Sequence, residues 1–238
     1  MNETHILNIV TPCGLFPQNL GVLYDSIYKQ DHNKFQFEVR WHVCIDTLSC
    51  SKEDIDPKLF DHFDSFTETE DGCWGNQCKN KAMENVKEGW VYLLDDDNII
   101  HDEFYSALRD EFNQAGDYLV YAFHHDTGNK NARLLDRYDK LEAPIRKFHP
   151  QVDSETELYV DSTFDSGQAV FHHSIWTPWP VNTESMEQKT KHGIIPVDGV
   201  QDADFQFYQN IRKRDLETGN DRIKIVDRCA TFYNRLRW

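Results

Sequence analysis

Short apolar runs alternate with amphipathic segments along the first half of this 238-residue chain. The runs at 6–10, 35–45 and 90–94 have the length of buried strands, and the segments 20–28 and 76–87 carry apolar residues at helical spacing. Strands and helices that alternate in this way are typical of a largely parallel sheet with right-handed crossovers. The pattern therefore predicts an α/β fold.

The second half of the chain continues this pattern less regularly. We expect helices at 101–113 and 202–213, strands at 118–123 and 223–226, and a glycine-containing loop that enters a strand at 165–171. The segment 52–66 contains a proline and many acids, which favours a loop with a short helix or strand. The segment 175–199 is interrupted by Trp and Pro and is too broken for regular structure, and long irregular loops of this kind are often functional.

Acidic residues outnumber basic ones, with 41 Asp plus Glu against 25 Lys plus Arg and a formal net charge of -16. The resulting field repels nucleic acid and anionic lipid, so we expect neither as a partner. The same field would repel a nucleotide diphosphate unless a metal ion or local basic residues bound it.

The length of the chain suits a single domain, 1–238. Its first apolar run is too short and too early for a signal peptide, and no later run reaches the ~20 residues of a membrane-spanning helix. The six cysteines include no CxxC pair, and a zinc or redox role for Cys73 and Cys78 lacks a second ligand pair. We therefore expect reduced thiols and a cytoplasmic location.

The most informative feature is the apolar run Trp90–Leu94, which ends in three consecutive carboxylates, Asp95, Asp96 and Asp97. A strand this apolar is expected to be buried on both faces, so its carboxyl end marks the sheet edge where ligands of open α/β folds bind. Adjacent carboxylates repel one another unless a cation binds them, and Mg²⁺ or Mn²⁺ prefers oxygen ligands. The alternative is a solvated acidic turn in which an Asp caps the following helix.

Several short segments together resemble a known family. They are Thr11-Pro12 at the end of the first strand, Asp46 after the second strand, the acids and Asn of 95–98, and the segments 165–170 and 199–202. They resemble GT-A fold glycosyltransferases. The resemblance is strongest to inverting, metal-dependent members such as the glucuronyltransferases that build proteoglycan linkers, and to small viral and bacterial sugar transferases.

The resemblance implies a GT-A type, Rossmann-like fold, with a mostly parallel central sheet flanked by helices. It implies a nucleotide-binding half, 1–100, and a smaller acceptor-side half with the catalytic base, 101–238. The implied reaction moves a sugar from a nucleotide diphosphate sugar, with a UDP-sugar expected, to a hydroxyl of a glycan or other acceptor. It inverts the configuration of the sugar and uses Mn²⁺ or Mg²⁺.

The resemblance also implies roles for the acids. Asp97 would hold the metal, and Asp95 and Asp96 would contact the ribose or support the metal through water. Asp202 would be the catalytic base, although the family carries Glu at this position. Its alternative role is to complement the dipole of the helix that it begins.

Two neighbouring acids, Asp198 and Asp204, remain open as alternatives to Asp202 for the base. Asp204 would lie on a different helix face from Asp202. A general base must reach the acceptor hydroxyl whose proton it takes, so position decides between the three acids.

The nucleotide-binding residues follow from the same resemblance. Thr11 and Pro12 would present backbone to the base of the nucleotide, and Asp46 would accept a hydrogen bond from the uracil imide or a ribose hydroxyl. Asp46 could equally cap the following loop. Lys79 and Asn80 match a basic-Asn pair that reaches the diphosphate or the donor sugar, and the alternative for Lys79 is a side chain that faces water.

The remaining implied contacts lie in the second half. Gly167 and Gln168 belong to the segment that resembles the acceptor-side loop of the family. Tyr233 and Arg235 fall where related enzymes carry a His and an Arg near the diphosphate. Tyr is a poor ligand for Mg²⁺ or Mn²⁺, so we expect Arg235 or Arg237 to bind phosphate in bidentate fashion.

Three aromatic residues, Phe171, Trp176 and Trp179, could form a platform for a sugar, although core packing is the more common role of such side chains. Two other functions are considered. A sugar-phosphate nucleotidyltransferase should carry a glycine-rich basic loop after the first strand, but 11–16 has one glycine and no basic residue. A catalytically inert carbohydrate-binding module could retain the fold, and the intact acidic residues argue against it.

Overall fold

One large sheet runs through the computed structural model, which describes the chain in the following ranges: 4–30, 32–71, 75–114, 118–126, 147–148, 166–181, 189–190, 193–194, 203–219, 224–232 and 236. Its strands are β1 His5–Cys13, β2 Phe37–Asp46, β3 Ser65–Thr69, β4 Trp90–Leu93, β5 Ile99–Ile100, β6 Val120–Asp126, β7 Lys147–Phe148, β8 Ala169–His172 and β11 Lys224–Phe232. Two further short strands, β9 Lys189–Thr190 and β10 Gly193–Ile194, form a separate antiparallel pair.

The strand order is β3-β2-β1-β4-β8-β6-β11-β5, and β7 pairs with β6. β1 pairs in parallel with β2 and β4, β2 with β3, and β6 with β11. β8 pairs antiparallel with β4 and β6, so β4 and β6 point the same way. The sheet is therefore mostly parallel, and the carboxyl ends of β1, β2 and β4 meet at one edge.

Helices cover both faces of this sheet. They are α1 Leu20–Tyr28, α2 Asn76–Met83, α3 Phe104–Phe112 and α4 Ala203–Glu217. Leu23 of α1 and Leu108 of α3 belong to one core cluster, whereas Met83 of α2 and Ile211 of α4 belong to a second one. Two separate clusters indicate a three-layer α/β/α arrangement, because a sheet buried on both faces needs apolar cover on each side.

Most predicted elements are confirmed, with shifts at their ends. α1 coincides with its prediction, and α2 ends at Met83 instead of residue 87. β11 continues to Phe232, beyond the predicted end at 226, because register shifts on either side of Cys229 let the strand carry on past an irregularity. The segment 175–199 was expected to be irregular, but β9 and β10 lie within it.

No helix in the described ranges is long and apolar enough to cross a membrane. The five cysteines among these residues, Cys13, Cys44, Cys50, Cys78 and Cys229, are free and buried, as the expectation of reduced thiols requires. Cys73 lies outside the described residues.

Candidate functional site

The three carboxylates form a tight turn between β4 and β5. The backbone N–H of Leu94 still donates to the carbonyl of Val10 at 3.0 Å, so the acids begin as soon as pairing with β1 ends. The N–H of Asn98 then donates to the carbonyl of Asp95 at 3.1 Å and closes the turn. This turn, 95–98, is called the acidic turn below, and it lies at the edge where β1 and β2 also end.

Asp96 fastens the loop that follows β1 to the acidic turn. Its Oδ2 accepts hydrogen bonds from the backbone N–H of Gly14 at 3.0 Å and of Phe16 at 3.2 Å. Burial raises the pKa of Asp96 to about 6; the two N–H donors oppose this rise, and the negative charge of Asp97 adds to it. The Asp96 carboxylate therefore shapes the loop and carries an electrostatic cost that a cation at the acidic turn would relieve.

Asp97 is 6% exposed and is the most deeply buried of the three acids. Its backbone carbonyl accepts a hydrogen bond from the N–H of Leu236 at 2.9 Å. The Nδ2 of Asn19 donates to the carbonyl of Asp96 at 2.8 Å and to that of Leu236 at 3.2 Å. Asn19 and Leu236 together attach the C-terminal part of the chain to the acidic turn.

The burial of Asp97 argues against a merely solvated acidic turn, and the N-cap of α3 is Glu103 and not an Asp. A partly buried carboxylate with a raised pKa, Asp96, beside the almost fully buried Asp97 is an arrangement that a hard divalent cation stabilises, because it supplies the missing positive charge. The donor set also fits, since carboxylate oxygens are the ligands that Mg²⁺ and Mn²⁺ prefer. Asp95, which is partly buried, adds a third carboxylate within the same turn.

Asp46, at the carboxyl end of β2, is 4% exposed and has three donors. Its Oδ1 accepts from the N–H of Leu48 at 3.0 Å and of Asp71 at 2.9 Å, and its Oδ2 accepts from Ser49 Oγ at 2.7 Å. The loop-capping interpretation accounts for the bonds from Leu48 and Ser49, whereas the bond from Asp71 ties the segment after β3 to the end of β2. A contact between Asp46 and a nucleotide stays a prediction.

Thr11 and Pro12 lie inside β1, which continues to Cys13. The Thr11 hydroxyl accepts a hydrogen bond from Trp41 Nε1 at 2.9 Å, so its side chain belongs to the core. Pro12 packs close to Gly75. The φ of Gly75 is +85°, and a Cβ added to it would lie only 3.0 Å from Pro12 Cβ, so both features favour glycine there. These contacts bring the start of α2 to the same edge as the acidic turn.

Lys79 and Asn80 lie on α2 and both contact Trp179. Lys79 is 3% exposed and its Nζ lies 5.5 Å from the centroid of the Trp179 ring, so the water-facing alternative is wrong. Asn80 Nδ2 donates to the carbonyl of Trp179 at 3.1 Å, and its Oδ1 accepts from the Trp179 N–H at 2.7 Å. Asn80 therefore fixes the backbone at Trp179, and its contact with a sugar or diphosphate stays a prediction.

Of the three aromatic residues considered for a sugar platform, two pack in the core. The Trp179 ring stacks on Phe207, with centroids 3.3 Å apart, and Phe171 is fully buried. Trp176 is partly exposed. The core-packing alternative therefore holds for Trp179 and Phe171.

Gly167 and Gln168 are buried beside the strand that leads to the acidic turn. Tyr92 of β4 donates its hydroxyl to the Gly167 carbonyl at 3.2 Å, and Gln168 Nε2 lies 3.5 Å from the carbonyl of Phe123. The predicted acceptor-side loop therefore packs against Tyr92 of β4, three residues before Asp95.

Five of the residues predicted in the second half lie outside the part of the chain that the structure describes. Asp202, Asp198, Tyr233, Arg235 and Arg237 lie outside the described residues, and Asp204 belongs to the first turn of α4. Their roles stay predictions.

Two residues that hold the site together, Asn19 and Asp71, were not predicted from the sequence. Asn19 stands at the N-cap of α1, where Asn is common, but its side chain makes no capping hydrogen bond and reaches the acidic turn instead. Asp71 is fully buried; its N–H donates to Asp46, and its Oδ2 accepts from the N–H of Cys78 at the start of α2. Asp71 gave no signal, because it stands among other acids in a polar loop.

A comparison with protein-family models gives no match, and a comparison with curated proteins gives none either. Solved structures do match. TarS of S. aureus aligns over 95% of this chain and 59% of its own, at 17% identity and a TM-score of 0.58. TarS in complex with UDP-GlcNAc aligns over 95% of this chain and 57% of its own, at 18% identity and a TM-score of 0.57.

The predicted GT-A type fold is confirmed. This chain spans less than three fifths of the length of TarS in that complex, and at such low identity the match establishes the fold alone. A mannosyltransferase from Pyrobaculum calidifontis, solved with GDP-Man and Mn²⁺, matches at a TM-score of 0.48 and 14% identity, over 76% of this chain and 48% of its own. That similarity is too low to support an argument.

Proposed function

We propose that this protein is a glycosyltransferase that moves a sugar from a nucleotide diphosphate sugar to a hydroxyl of a glycan or other acceptor. The observation that carries the proposal is the acidic turn. Its Asp97 is buried beside the partly buried Asp96 at the carboxyl edge of the sheet, and backbone and amide donors hold the turn in place. In open α/β folds this edge is where nucleotide ligands bind.

Asp97 would hold Mn²⁺ or Mg²⁺, with Asp95 as a second ligand directly or through water. When bound, such an ion offsets the negative charge of the departing diphosphate. Asp96 would support the metal through water or contact the ribose, and its Oδ2 also holds the loop at 14–16 beside the acidic turn. That loop and the backbone of Thr11 and Pro12 would line the nucleotide pocket.

Two basic side chains would contact the diphosphate. Lys79 is buried on the helix whose first residues pack near Pro12, where a desolvated ammonium attracts phosphate strongly. Arg235 directly precedes Leu236, whose N–H is bonded to Asp97. A guanidinium there would bind phosphate in bidentate fashion. These local charges would offset the repulsion that the net charge of -16 exerts on the donor.

Asp202 would act as the general base, with Asp198 and Asp204 as alternatives. It would take the proton from the acceptor hydroxyl as the oxygen attacks the anomeric carbon from the face opposite the diphosphate, so that the configuration inverts. The acceptor would bind near Gly167 and Gln168, beside β4.

The donor that we propose is a UDP-sugar, because TarS, whose fold this chain shares, is known in complex with UDP and with UDP-GlcNAc. We propose a cytoplasmic location, since the cysteines of the described residues are free.

A panel of nucleotide sugars tests this function directly. Many transferases slowly pass the sugar to water, so we expect Mn²⁺-dependent hydrolysis of one donor, with UDP-sugars ahead of GDP-sugars. An Asp97→Asn variant should lose this hydrolysis, and Asp25→Asn, which removes an acid from an exposed ion pair with Lys29, should retain it. Binding of donors without turnover in any condition would favour the inert carbohydrate-binding module instead.

A further inference from the structure

A second group of possible metal ligands lies outside the acidic turn. It consists of His101, Glu103 and Cys229, whose ligand atoms all lie within 4.8 Å of one another. Cys229 is fully buried, and the side chains of His101 and Glu103 are 12% and 32% exposed. His101 and Glu103 stand between β5 and α3, and Cys229 lies in β11, so distant parts of the chain supply the three groups.

An irregularity in β11 brings Cys229 and Glu103 together. The register of β11 against β6 shifts on both sides of Cys229. The N–H of Cys229 donates to Glu103 Oε1 at 3.0 Å. Bulges of this kind re-aim side chains and are frequent beside functional sites. Glu103 Oε2 pairs with the exposed Arg228 Nη1 at 3.4 Å, whereas Oε1, which accepts one N–H, keeps a further lone pair for a metal ion.

His101 is held in an orientation that suits a metal ligand. Its backbone N–H donates to the carbonyl of Ala230 at 2.8 Å, and its ring packs on Phe232 with centroids 4.3 Å apart. Nδ1 lies 3.8 Å from Glu103 Oε1, and Nε2 lies 3.9 Å from Asp126 Oδ2. A metal-binding His usually donates its second ring N–H to a carboxylate, and Asp126 lies on that side of the ring, beyond hydrogen-bond distance at 3.9 Å. The N–H of Glu103 lies 3.3 Å from Nδ1, a long hydrogen bond that a metal ion would replace.

We propose that His101, Glu103 and Cys229 bind Zn²⁺. Sulfur and imidazole nitrogen select Zn²⁺ over Mg²⁺ and Mn²⁺, which prefer oxygen ligands, so this site differs in kind from the acidic turn. The thiolate and the carboxylate together match the charge of the ion, and three protein ligands leave the fourth tetrahedral position to water.

The bound ion would link the segment after the acidic turn to β11. His101 lies four residues after Asp97, and β5 between them pairs with Thr231 and Phe232 of β11. Zn²⁺ would therefore hold β5, which follows the acidic turn, against β11 without touching the donor. This role does not rest on the proposed transfer reaction.

Cobalt substitution tests the site, because a thiolate bound to Co²⁺ gives an intense near-ultraviolet charge-transfer band. We expect this band when Co²⁺ is added to the wild-type protein, and its loss when Zn²⁺ is added in excess. Cys229→Ser should remove the band, and Cys50→Ser, at a buried cysteine away from the cluster, should retain it. Asp97→Asn should also retain it, which separates this site from the acidic turn.

Zinc affinity provides a second measurement if Cys229→Ser fails to fold. Against a chromophoric chelator, Glu103→Gln should lower the affinity for Zn²⁺ at least tenfold, and Asp126→Asn should lower it about 10- to 100-fold through the His101 ring. Zn²⁺ at 100 times its Kd should raise the Tm by roughly 5 to 10 °C. A wild-type protein without the cobalt band, a band that persists in Cys229→Ser, or unchanged affinity in Glu103→Gln would overturn the proposal.

Discussion

Asp96→Asn should make the metal-free protein more stable at neutral and alkaline pH. Burial raises the pKa of Asp96 from 3.8 to about 6, a difference that corresponds to about 3 kcal/mol. Because the side chain is only partly buried, we expect about 2 kcal/mol. Asn has the same shape, and its Oδ1 can still accept the hydrogen bonds from Gly14 and Phe16.

The sign of the pH dependence follows from proton binding. Between pH 4 and pH 6 the folded state holds a proton on Asp96 that the unfolded state has lost, so the stability of the wild-type protein falls as pH rises through this window. The loss of stability caused by the charged Asp96 side chain is complete at pH 8 and about half as large at pH 5. Asp96→Asn removes it, so the advantage of the variant should be larger at pH 8 than at pH 5.

Urea unfolding with a chelator present measures this difference at the two pH values. The expected gain at pH 8 equals about 4 to 8 °C in Tm for a chain of this size. Asp25→Asn provides the control, because an exposed ion pair contributes little and should give the same small difference at both pH values. A gain for Asp96→Asn that is equal at pH 5 and pH 8 would refute the electrostatic argument. The same variant should respond less to Mn²⁺, since one carboxylate of the acidic turn is gone.

Two other variants test positioning and chemistry. Asn19→Ala leaves the carbonyls of Asp96 and Leu236 without their amide donor, so we expect a loss of about 2 to 3 kcal/mol in urea unfolding and a weaker Mn²⁺-dependent binding of UDP. Asn8→Ala removes two comparable amide bonds, to the carbonyls of Glu88 and Trp90, together with a third bond to His42 Nε2, and should destabilise the protein without changing UDP binding. Equal binding defects in the two variants would argue against a specific role for Asn19. Asp202→Asn should keep donor affinity and lower transfer by about 10² to 10⁴-fold, and near-normal transfer would move the base to a neighbouring acid.

The strand that leads to the acidic turn, and the acidic turn itself, could be predicted from local sequence patterns. The apolar run at 90–94 and the acids after it could be read directly, because burial on both faces of a parallel strand requires continuous apolar residues. β1 could be predicted for the same reason, and α1 could be predicted from the helical spacing of its apolar residues. These elements were sufficient to predict the edge of the sheet at which the acidic turn lies.

The partners of the polar residues could not be predicted in the same way. Asn80 bonds to the backbone of Trp179, 99 residues away, and Asn19 bonds to Leu236, 217 residues away. No periodicity in the sequence records which distant backbone group a buried amide will meet. The contacts of Asp96 Oδ2 were unpredictable for the same reason, since its donors are N–H groups 80 and 82 residues earlier in the chain.

Strand ends were also beyond local prediction. β3 has a polar, alternating sequence because it pairs only with β2 and lies at the edge of the sheet, where one side needs no cover. The length of β11 depends on the bulge at Cys229, and a register shift leaves no mark in the hydrophobic pattern.

The central claim is that Asp97 holds a divalent cation through which a nucleotide diphosphate binds. Thermal unfolding of the wild-type protein and of Asp97→Asn, with UDP and Mn²⁺ added separately and together, tests it most directly. We expect a rise in Tm of roughly 5 to 10 °C for the wild-type protein only when both are present at about 100 times Kd, and no such rise for the variant. An undiminished Mn²⁺-dependent shift with UDP in Asp97→Asn would contradict the claim.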